Sequence, residues 1–251
     1  MALGRSGDYF ASGVIIEGDI ILTAAHICDG QPDTVPDCVW YGPVTSNCLD
    51  APKKGELLRV VRYMRHSQYE FNGNHANPRG NDLMMLEIHP DDRKKIHVIA
   101  EMANDDEATK MGVDPHISVR AVGYGHSRKN VQGALEGFGV RRHVTIPLAG
   151  REVGRYGLFE FPVNDMKVLG EFVAASKSEN ADTCKGDSGG PVYLIGGPPE
   201  QRVFRLIGIT SRATPGAPDV CGDGGVYELV PAYRDWIRAE VQKRGSWPTV
   251  Q

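Results

Sequence analysis

The sequence predicts an all-β protein in two halves, with one helix near its carboxyl end. Three observations predict this class: short β-type runs recur along the chain, Gly, Pro and Asn separate them, and long helical patterns are scarce. At 251 residues the chain is long enough to bury a full core, and all-β chains of this length often form one compact unit. We therefore expect a single domain over 1–251.

The acidic stretch 101–107 is the predicted connection between the two halves, which then span about 1–104 and 105–230. In the first half, Glu17-Gly18-Asp19 separates two apolar runs and is typical of a hairpin turn. The predicted strands there are 13–16, 20–23 and 57–62, and an apolar run at 83–88 follows Asp82. The stretches 28–52 and 71–81 are polar and rich in turn formers, so both are predicted as loops.

The second half repeats this pattern of short runs and ends on the helix. Tyr233, Ile237 and Val241 recur at i, i+4 and i+8 after Pro231, and Gly245 is a stop signal, so a helix is predicted over 231–245. The strands predicted for this half are 117–124, 139–147, 172–175, 191–195, 203–211 and 225–230.

Composition excludes several classes of function. The formal net charge is −4 and there is no basic block, so neither nucleic acid nor an acidic membrane surface is an expected partner. The longest apolar run, 14–22, is interrupted by Glu17 and Asp19 and is too short to span a bilayer. The first ten residues contain no apolar signal core, which leaves the compartment open.

No metal or cofactor is predicted. The five cysteines contain no Cys-x-x-Cys pair, which argues against structural zinc, and the histidines show no metal-ligand spacing. Glycine-rich segments such as 196–199 are typical of hairpin tips and not of phosphate-binding loops. Because five is an odd number, at least one cysteine is unpaired within the chain.

One stretch, 182–191, has the composition of a catalytic loop. Ser188 follows Gly-Asp and precedes Gly-Gly-Pro, and glycines allow a sharp turn with backbone N–H groups directed at a developing negative charge. A surface turn is the alternative, since Gly, Asp, Ser and Pro are ordinary turn residues.

A serine hydroxyl needs a base to act as a nucleophile, and two residues complete such a set. His26 in Thr-Ala-Ala-His supplies an imidazole suited to proton transfer near pH 7, and Asp82 supplies a carboxylate that orients it. Each lies at a predicted junction of strand and loop. Taken singly, His26 also suits a buried structural histidine and Asp82 a strand-start cap; together with Ser188 they favour catalysis.

These motifs, in the order histidine, aspartate, serine, resemble the chymotrypsin/trypsin family of serine proteases over about residues 10–241. The resemblance implies two antiparallel six-stranded β-barrels with a C-terminal helix and a serine endopeptidase site in the cleft between the barrels. It assigns attack to Ser188, general acid–base catalysis to His26 and orientation of His26 to Asp82. The N–H groups of Gly186 and Ser188 would form the oxyanion hole, and Ser211 would begin the strand that pairs with substrate.

The same resemblance suggests specificity. Asp182 takes the position at the base of the primary pocket, which favours substrates with Arg or Lys before the cut, and Gly225 keeps that pocket open. Arg212 and Ala213 replace a usual tryptophan and glycine on its wall, so Ala213 narrows the entrance and Arg212 disfavours cationic residues upstream of the cut. Lys185 is also assigned to substrate binding. A loop carboxylate bonded to local backbone is the alternative for Asp182.

The resemblance implies a disulfide between Cys184 and Cys221. Cys28, Cys38 and Cys48 then allow one local bridge and one remaining thiol, in three ways. All five are reduced thiols if the protein is cytoplasmic, whereas the family implies a secreted or periplasmic location.

Asp187 departs from the family pattern, and it motivates the alternative function. Family zymogens are activated when a new N-terminal ammonium pairs with this aspartate, and the sequence has no Ile-Val-Gly-Gly start. A truncated chain, an internal cation in place of the ammonium, or activation by a partner protein would each account for this. The alternative to a protease is therefore an inactive or partner-activated binding module on the same fold; a serine esterase is a third possibility.

Overall fold

The computed structural model describes residues 1–6, 8–28, 34–42, 56–70, 80–111, 117–148, 170–174, 182–214 and 221–250. Strands dominate these ranges, and the helices are α1 (Asp105–Met111) and α2 (Arg234–Gln242). The strands are β1 (Ala2–Arg5), β2 (Asp8–Ser12), β3 (Val14–Glu17), β4 (Ile20–Thr23), β5 (Cys38–Tyr41), β6 (Glu56–Arg65), β7 (Met84–Ile88), β8 (Ser118–Gly123), β9 (Arg128–Lys129), β10 (Leu135–Glu136), β11 (Arg142–Pro147), β12 (Glu171–Ala174), β13 (Pro191–Gly196), β14 (Val203–Ala213) and β15 (Gly225–Leu229). Short 3-10 turns lie at Ala25–Cys28, Pro90–Lys95, Pro199–Gln201, Val230–Tyr233 and Arg244–Ser246.

The first sheet closes on itself through Gly13. Its strand order is β2-β1-β5-β6-β7-β4-β3, all antiparallel, so β2 and β3 form its two edges. Only Gly13 separates these two strands in the chain, so both edges belong to one bent segment. A closed sheet has no free edge strand. Because β2 and β3 are two parts of one bent strand, the seven strands correspond to a six-stranded barrel.

The second sheet has the order β11-β8-β13-β14-β15-β12, also antiparallel. A bridge between Leu148 and Ala174 joins its two edges. Inward-facing side chains such as Val119, Phe172 and Ile207 are buried in a common core. The prediction of an all-β protein with two antiparallel barrels and a C-terminal helix is confirmed.

The terminal helix packs where the two barrels meet. Ile237 of α2 and the preceding Tyr233 belong to a buried cluster with Leu22 and Met85 of the first sheet and Ile209 of the second. Burying the apolar face of α2 in this shared core fixes the helix against both barrels. Among the residues that the structure describes, no helix is long and apolar enough to cross a membrane.

One prediction of local structure is wrong, and another segment contains a helix that the sequence analysis did not predict. The predicted loop 28–52 contains β5, whose Val39 and Trp40 are fully buried, although Pro, Asp and Gly surround so short a run. The predicted connection 101–107 contains the start of α1. Asn104 and Glu107 bond each other's backbone N–H at 2.9 Å, a capping box whose Asn-x-x-Glu signal stands in the sequence. Most of the predicted loop 71–81 lies outside the described residues.

Replacing Gly13 by Ala is expected to lower the free energy of unfolding by about 1–3 kcal/mol. A Cβ there would lie 2.9 Å from Ile21 Cγ2 and 3.2 Å from Leu3 Cδ1, inside the barrel closure. Urea denaturation measures the change. The control is Gly245→Ala, where a Cβ meets no atom within 4 Å. Equal stability of the parent and the Gly13 variant would contradict this account of barrel closure.

Candidate active site

Strand pairing in the first barrel brings His26 and Asp82 to the same place. His26 lies in the 3-10 turn just after β4, and Asp82 lies two residues before β7. Because β4 and β7 are antiparallel, with Thr23 opposite Met84, the end of one strand adjoins the start of the other. Ser188 comes from the second half, in the loop that precedes β13.

The three side chains form a continuous hydrogen-bonded chain. His26 Nδ1 lies 2.7 Å from Asp82 Oδ2, and His26 Nε2 lies 2.9 Å from Ser188 Oγ. The backbone N–H of His26 also donates to Asp82 Oδ1 at 2.8 Å. The two contacts to one carboxylate fix the imidazole plane, with Nε2 facing the hydroxyl.

Asp82 is fully buried, yet it is held as a carboxylate. Burial raises the pKa of Asp82, but the neighbouring His26 and the hydrogen bonds from His26 and Ser211 outweigh it, so the pKa lies below its usual value. Ser211 Oγ donates to Asp82 Oδ2 at 2.6 Å. Ser211 is the extra residue of a bulge in β14, because Thr210 pairs with Tyr227 and Arg212 with the adjacent Val226.

The loop before Ser188 presents its N–H groups toward the site. The Lys185 carbonyl accepts a hydrogen bond from the His126 N–H at 2.9 Å, which directs the Gly186 N–H to the opposite side of that peptide. Gly186 has φ +96°, a conformation that favours glycine. Among the described residues, no acceptor bonds the N–H of Gly186 or Ser188. Both donors are therefore available to a ligand.

Ser12 of the first barrel holds this loop in place, a role that no sequence motif indicates. Its N–H donates to the Ser188 carbonyl at 2.8 Å and its hydroxyl to the Gly186 carbonyl at 3.0 Å. The same hydroxyl accepts from the Tyr124 N–H at 3.1 Å. A single buried side chain thus joins the loop to both barrels.

Asp182 accepts hydrogen bonds from neighbouring groups, including the backbone N–H of Gly224. Its Oδ1 accepts from the Tyr227 hydroxyl at 2.9 Å and from the Thr183 N–H at 2.5 Å. Burial raises its pKa against these hydrogen bonds. A Cβ on Gly225 would lie 2.5 Å from the Tyr227 oxygen, so glycine leaves the space that the tyrosine occupies.

The other residues assigned to substrate binding differ in their exposure. Lys185 is exposed, and Ala213 is half-buried and pairs with Gly225. Arg212 is not directed at open solvent: its side chain is 6% exposed and makes two bonds to Glu171, at 2.6 and 3.0 Å. Its charge is neutralised by Glu171, so the expected repulsion of cationic residues is weakened.

The structure decides part of the cysteine pairing. Cys184 and Cys221 form the disulfide that the resemblance implies, 37 residues apart. Cys38 is disulfide-bonded, whereas Cys28 is buried and its thiol donates to the Ala25 carbonyl at 3.2 Å. Cys48 lies outside the described residues.

Asp187 turns inward and is bonded by backbone groups. Its carboxylate oxygens accept from the N–H of Gly125 and of Cys184, each at 2.8 Å. In the described part of the chain no cationic group lies within 4 Å of it. A cavity of about 280 Å³ adjoins it, lined among others by His126, Arg142 and Asp182. Burial raises the pKa of Asp187 to about 6, against those two hydrogen bonds.

The described ranges hold no group of three or more His, Cys, Asp or Glu residues placed to bind a metal ion.

Two antiparallel barrels with serine, histidine and aspartate bonded where they meet are the arrangement of chymotrypsin-like serine proteases. The family model for trypsin matches residues 1–237, and the chain belongs to the trypsin family. It is 28% identical to human kallikrein-8 over 97% of the chain and 82% of that protein. It is 25% identical to a trypsin of Saccharopolyspora erythraea, over 94% of the chain and 88% of that protein.

Other relatives are longer than this chain. An inactive CLIP domain-containing serine protease, A28, of Anopheles gambiae is 25% identical over 94% of the chain, which spans 57% of that protein. The CLIP domain-containing serine protease B14 of the same mosquito is 29% identical over 76% of the chain and 50% of its own length. The family therefore includes a relative described as inactive.

Replacing Asp187 by Asn isolates the effect of its titration on stability. The folded protein binds this proton near pH 6 and the unfolded chain near 3.8, so the contribution of Asp187 to stability falls as pH rises between these values. Between pH 4 and pH 7, the free energy of unfolding of the parent, measured in urea, should fall relative to that of the variant by up to about 3 kcal/mol. A difference between parent and variant that does not change with pH would contradict the assignment.

Proposed function

We propose that the protein is a serine endopeptidase. The observation that carries the proposal is the unbroken chain of hydrogen bonds from Asp82 through His26 to Ser188. Beside it lie the N–H groups of Gly186 and Ser188, which no acceptor in the described part of the chain bonds. A base within hydrogen-bond reach of the hydroxyl, and a third group orienting that base, is the arrangement that activates serine as a nucleophile.

In this mechanism Ser188 Oγ attacks the carbonyl carbon of the scissile bond while His26 Nε2 accepts its proton. The N–H groups of Gly186 and Ser188 bind the resulting oxyanion, and Asp82 stabilises the charged imidazole. His26 then gives the proton to the leaving amine, which releases the first product and leaves an acyl-enzyme. Water, activated by His26, attacks the ester in the same way and frees Ser188.

We also infer cleavage after Arg or Lys. The support is Asp182, a largely buried carboxylate without a cation within 4 Å among the described residues. A substrate guanidinium or ammonium would supply the missing charge. The expected partners are protein or peptide substrates. The disulfide-bonded cysteines favour a secreted or periplasmic location over a cytoplasmic one.

The alternative is an inactive or partner-activated module, and two observations bear on it. Asp187 has no cation within 4 Å in the described chain, and one relative carries the description inactive. Against it, the His126 N–H bonds the Lys185 carbonyl, which leaves the Gly186 N–H on the side of that peptide facing Ser188, as an active enzyme requires. We therefore favour the active enzyme.

A fluorophosphonate probe, which forms a covalent bond with an activated serine, tests the function. The parent protein alone should be labelled at Ser188, and Ser188→Ala should not be, with both proteins folded by circular dichroism. Labelling that appears only after a second protein is added would support partner activation. Absence of labelling under every condition would overturn the proposal that the protein is an enzyme.

Replacing Asp182 by Asn tests the specificity. The variant loses a charge-assisted contact worth about 1.5–3 kcal/mol, so kcat/KM for peptides with Arg or Lys before the cut should fall by about 10- to 150-fold. Peptides with Phe or Ala at that position serve as the internal control and should be cleaved no more slowly. A parent enzyme that prefers Phe or Ala would contradict the assignment.

A further inference from the structure

Two consecutive backbone N–H groups next to the catalytic carboxylate are bonded by side chains of the other barrel. The Asp82 N–H donates to Glu228 Oε1 at 3.0 Å, and the Asn81 N–H donates to the Tyr233 oxygen at 3.0 Å. The Tyr233 hydroxyl in turn donates to Glu228 Oε2 at 2.6 Å. Glu228 and Tyr233, here called the Glu–Tyr pair, therefore act on the backbone of Asp82 as one unit.

This backbone needs support because it precedes β7 and has no strand partner. Asn81 has φ +59°, a conformation that residues other than glycine adopt at a cost. A buried N–H without an acceptor is unfavourable, because it loses its bond to water and gains none in return. The Glu–Tyr pair supplies both acceptors, and so fixes the direction in which Asp82 leaves the backbone.

The carboxylate of Asp82 is engaged on its other side. Its oxygens contact the ring and N–H of His26 and the hydroxyl of Ser211. The carboxylate of Asp82 thus belongs to the proposed triad, while its backbone N–H is bonded by Glu228. Movement of this backbone would move the carboxylate relative to the imidazole.

Glu228 is an unexpected residue for the interior of a strand. It is fully buried in β15, directly opposite the buried Glu171 of β12. Two carboxylates facing each other across a sheet repel, and Arg212 already makes two bonds to Glu171. An apolar residue would suit the core at this position, so a buried glutamate here indicates that its hydrogen bonds are needed.

The charges around Glu228 favour its neutral form. The groups packed against it are Asp82, Glu171, Tyr233 and, through Glu171, Arg212. Burial raises the pKa of Glu228 well above its usual value, and Glu171 and Asp82 raise it further. The negative charge near His26 then stays on Asp82, where the proposed mechanism requires it.

We propose that Glu228, together with Tyr233, is a positioning residue of the proposed protease: it fixes the Asn81–Asp82 backbone and thereby holds the Asp82 carboxylate against His26. This inference rests on the proposed function for its kinetic consequences but not for its structural ones.

The first test compares Glu228→Ala with Glu228→Gln, using a chromogenic peptide with Arg before the cut. Glu228→Ala should lower kcat by about 10- to 100-fold with KM within about twofold, because a displacement of catalytic groups by about 1 Å costs rate without loss of binding. Glu228→Gln should restore kcat to within about threefold, since its amide oxygen accepts from the Asp82 N–H. Its amide N–H₂ then donates to the Tyr233 oxygen, once the tyrosine hydroxyl hydrogen has rotated away.

The second test does not depend on activity. The proton between His26 Nδ1 and Asp82 Oδ2 should give a low-field NMR resonance in the parent protein, retained in Glu228→Gln and shifted or lost in Glu228→Ala. If Glu228→Ala does not fold, Tyr233→Phe replaces it, because this change removes only the hydroxyl and should shift the same resonance. A folded parent that keeps the resonance but cleaves no peptide would count against the proposed protease and leave the positioning role to be decided by the variants.

Glu87→Ala is the matched control. Glu87 is a buried carboxylate of the first barrel, 3% exposed and paired with Arg62 at 2.7 Å, and it contacts none of the proposed triad. We expect this change to lower stability but to leave kcat and the His26 resonance unchanged. The proposal is overturned if Glu228→Ala keeps the parent kcat and resonance, or if the glutamine variant fails to restore them.

Discussion

The burial of the Asp82 carboxylate is the constraint on which the site depends. A charge removed from water is stable only if hydrogen bonds and an opposite charge replace its solvent. Here His26 and Ser211 bond its oxygens, and Glu228 bonds its backbone N–H. These partners come from both barrels, so the charge is stabilised only when the barrels meet in one arrangement. The same condition places the imidazole in reach of Ser188.

A second contact between the two barrels is made by uncharged groups around Ser12. Ser12, at the end of β2, bonds the carbonyls of Gly186 and Ser188 and accepts from Tyr124. The loop that carries Gly186 and Ser188 is therefore bonded to the first barrel, although it belongs to the second. Together with the bond between Lys185 and His126, this explains how the loop presents its donors although, in the described ranges, only backbone groups bond the Asp187 carboxylate.

Glu171 limits the electrostatic effect that Arg212 can have on a substrate. Its guanidinium is paired with Glu171, and only 6% of its side chain is exposed. An ion pair this buried has little charge left to act on a substrate in the cleft. In the proposed pocket Arg212 would contribute shape more than repulsion, so the proposed specificity depends on Asp182.

The sequence by itself determined the fold class, the order of the candidate site residues and most strands, because alternation, turn residues and the Gly-Asp-Ser-Gly-Gly motif are local signals. It did not indicate β5, which is four residues long among turn formers, or the role of Ser12. Only the tertiary structure decided the partners of Asp187, the neutralisation of Arg212 and the bond from Asp82 to Glu228. The bonds from Gly125 to Asp187, from Arg212 to Glu171 and from Asp82 to Glu228 join residues 62, 41 and 146 positions apart in the chain. Residue spacing along the chain carries no information on such distant contacts.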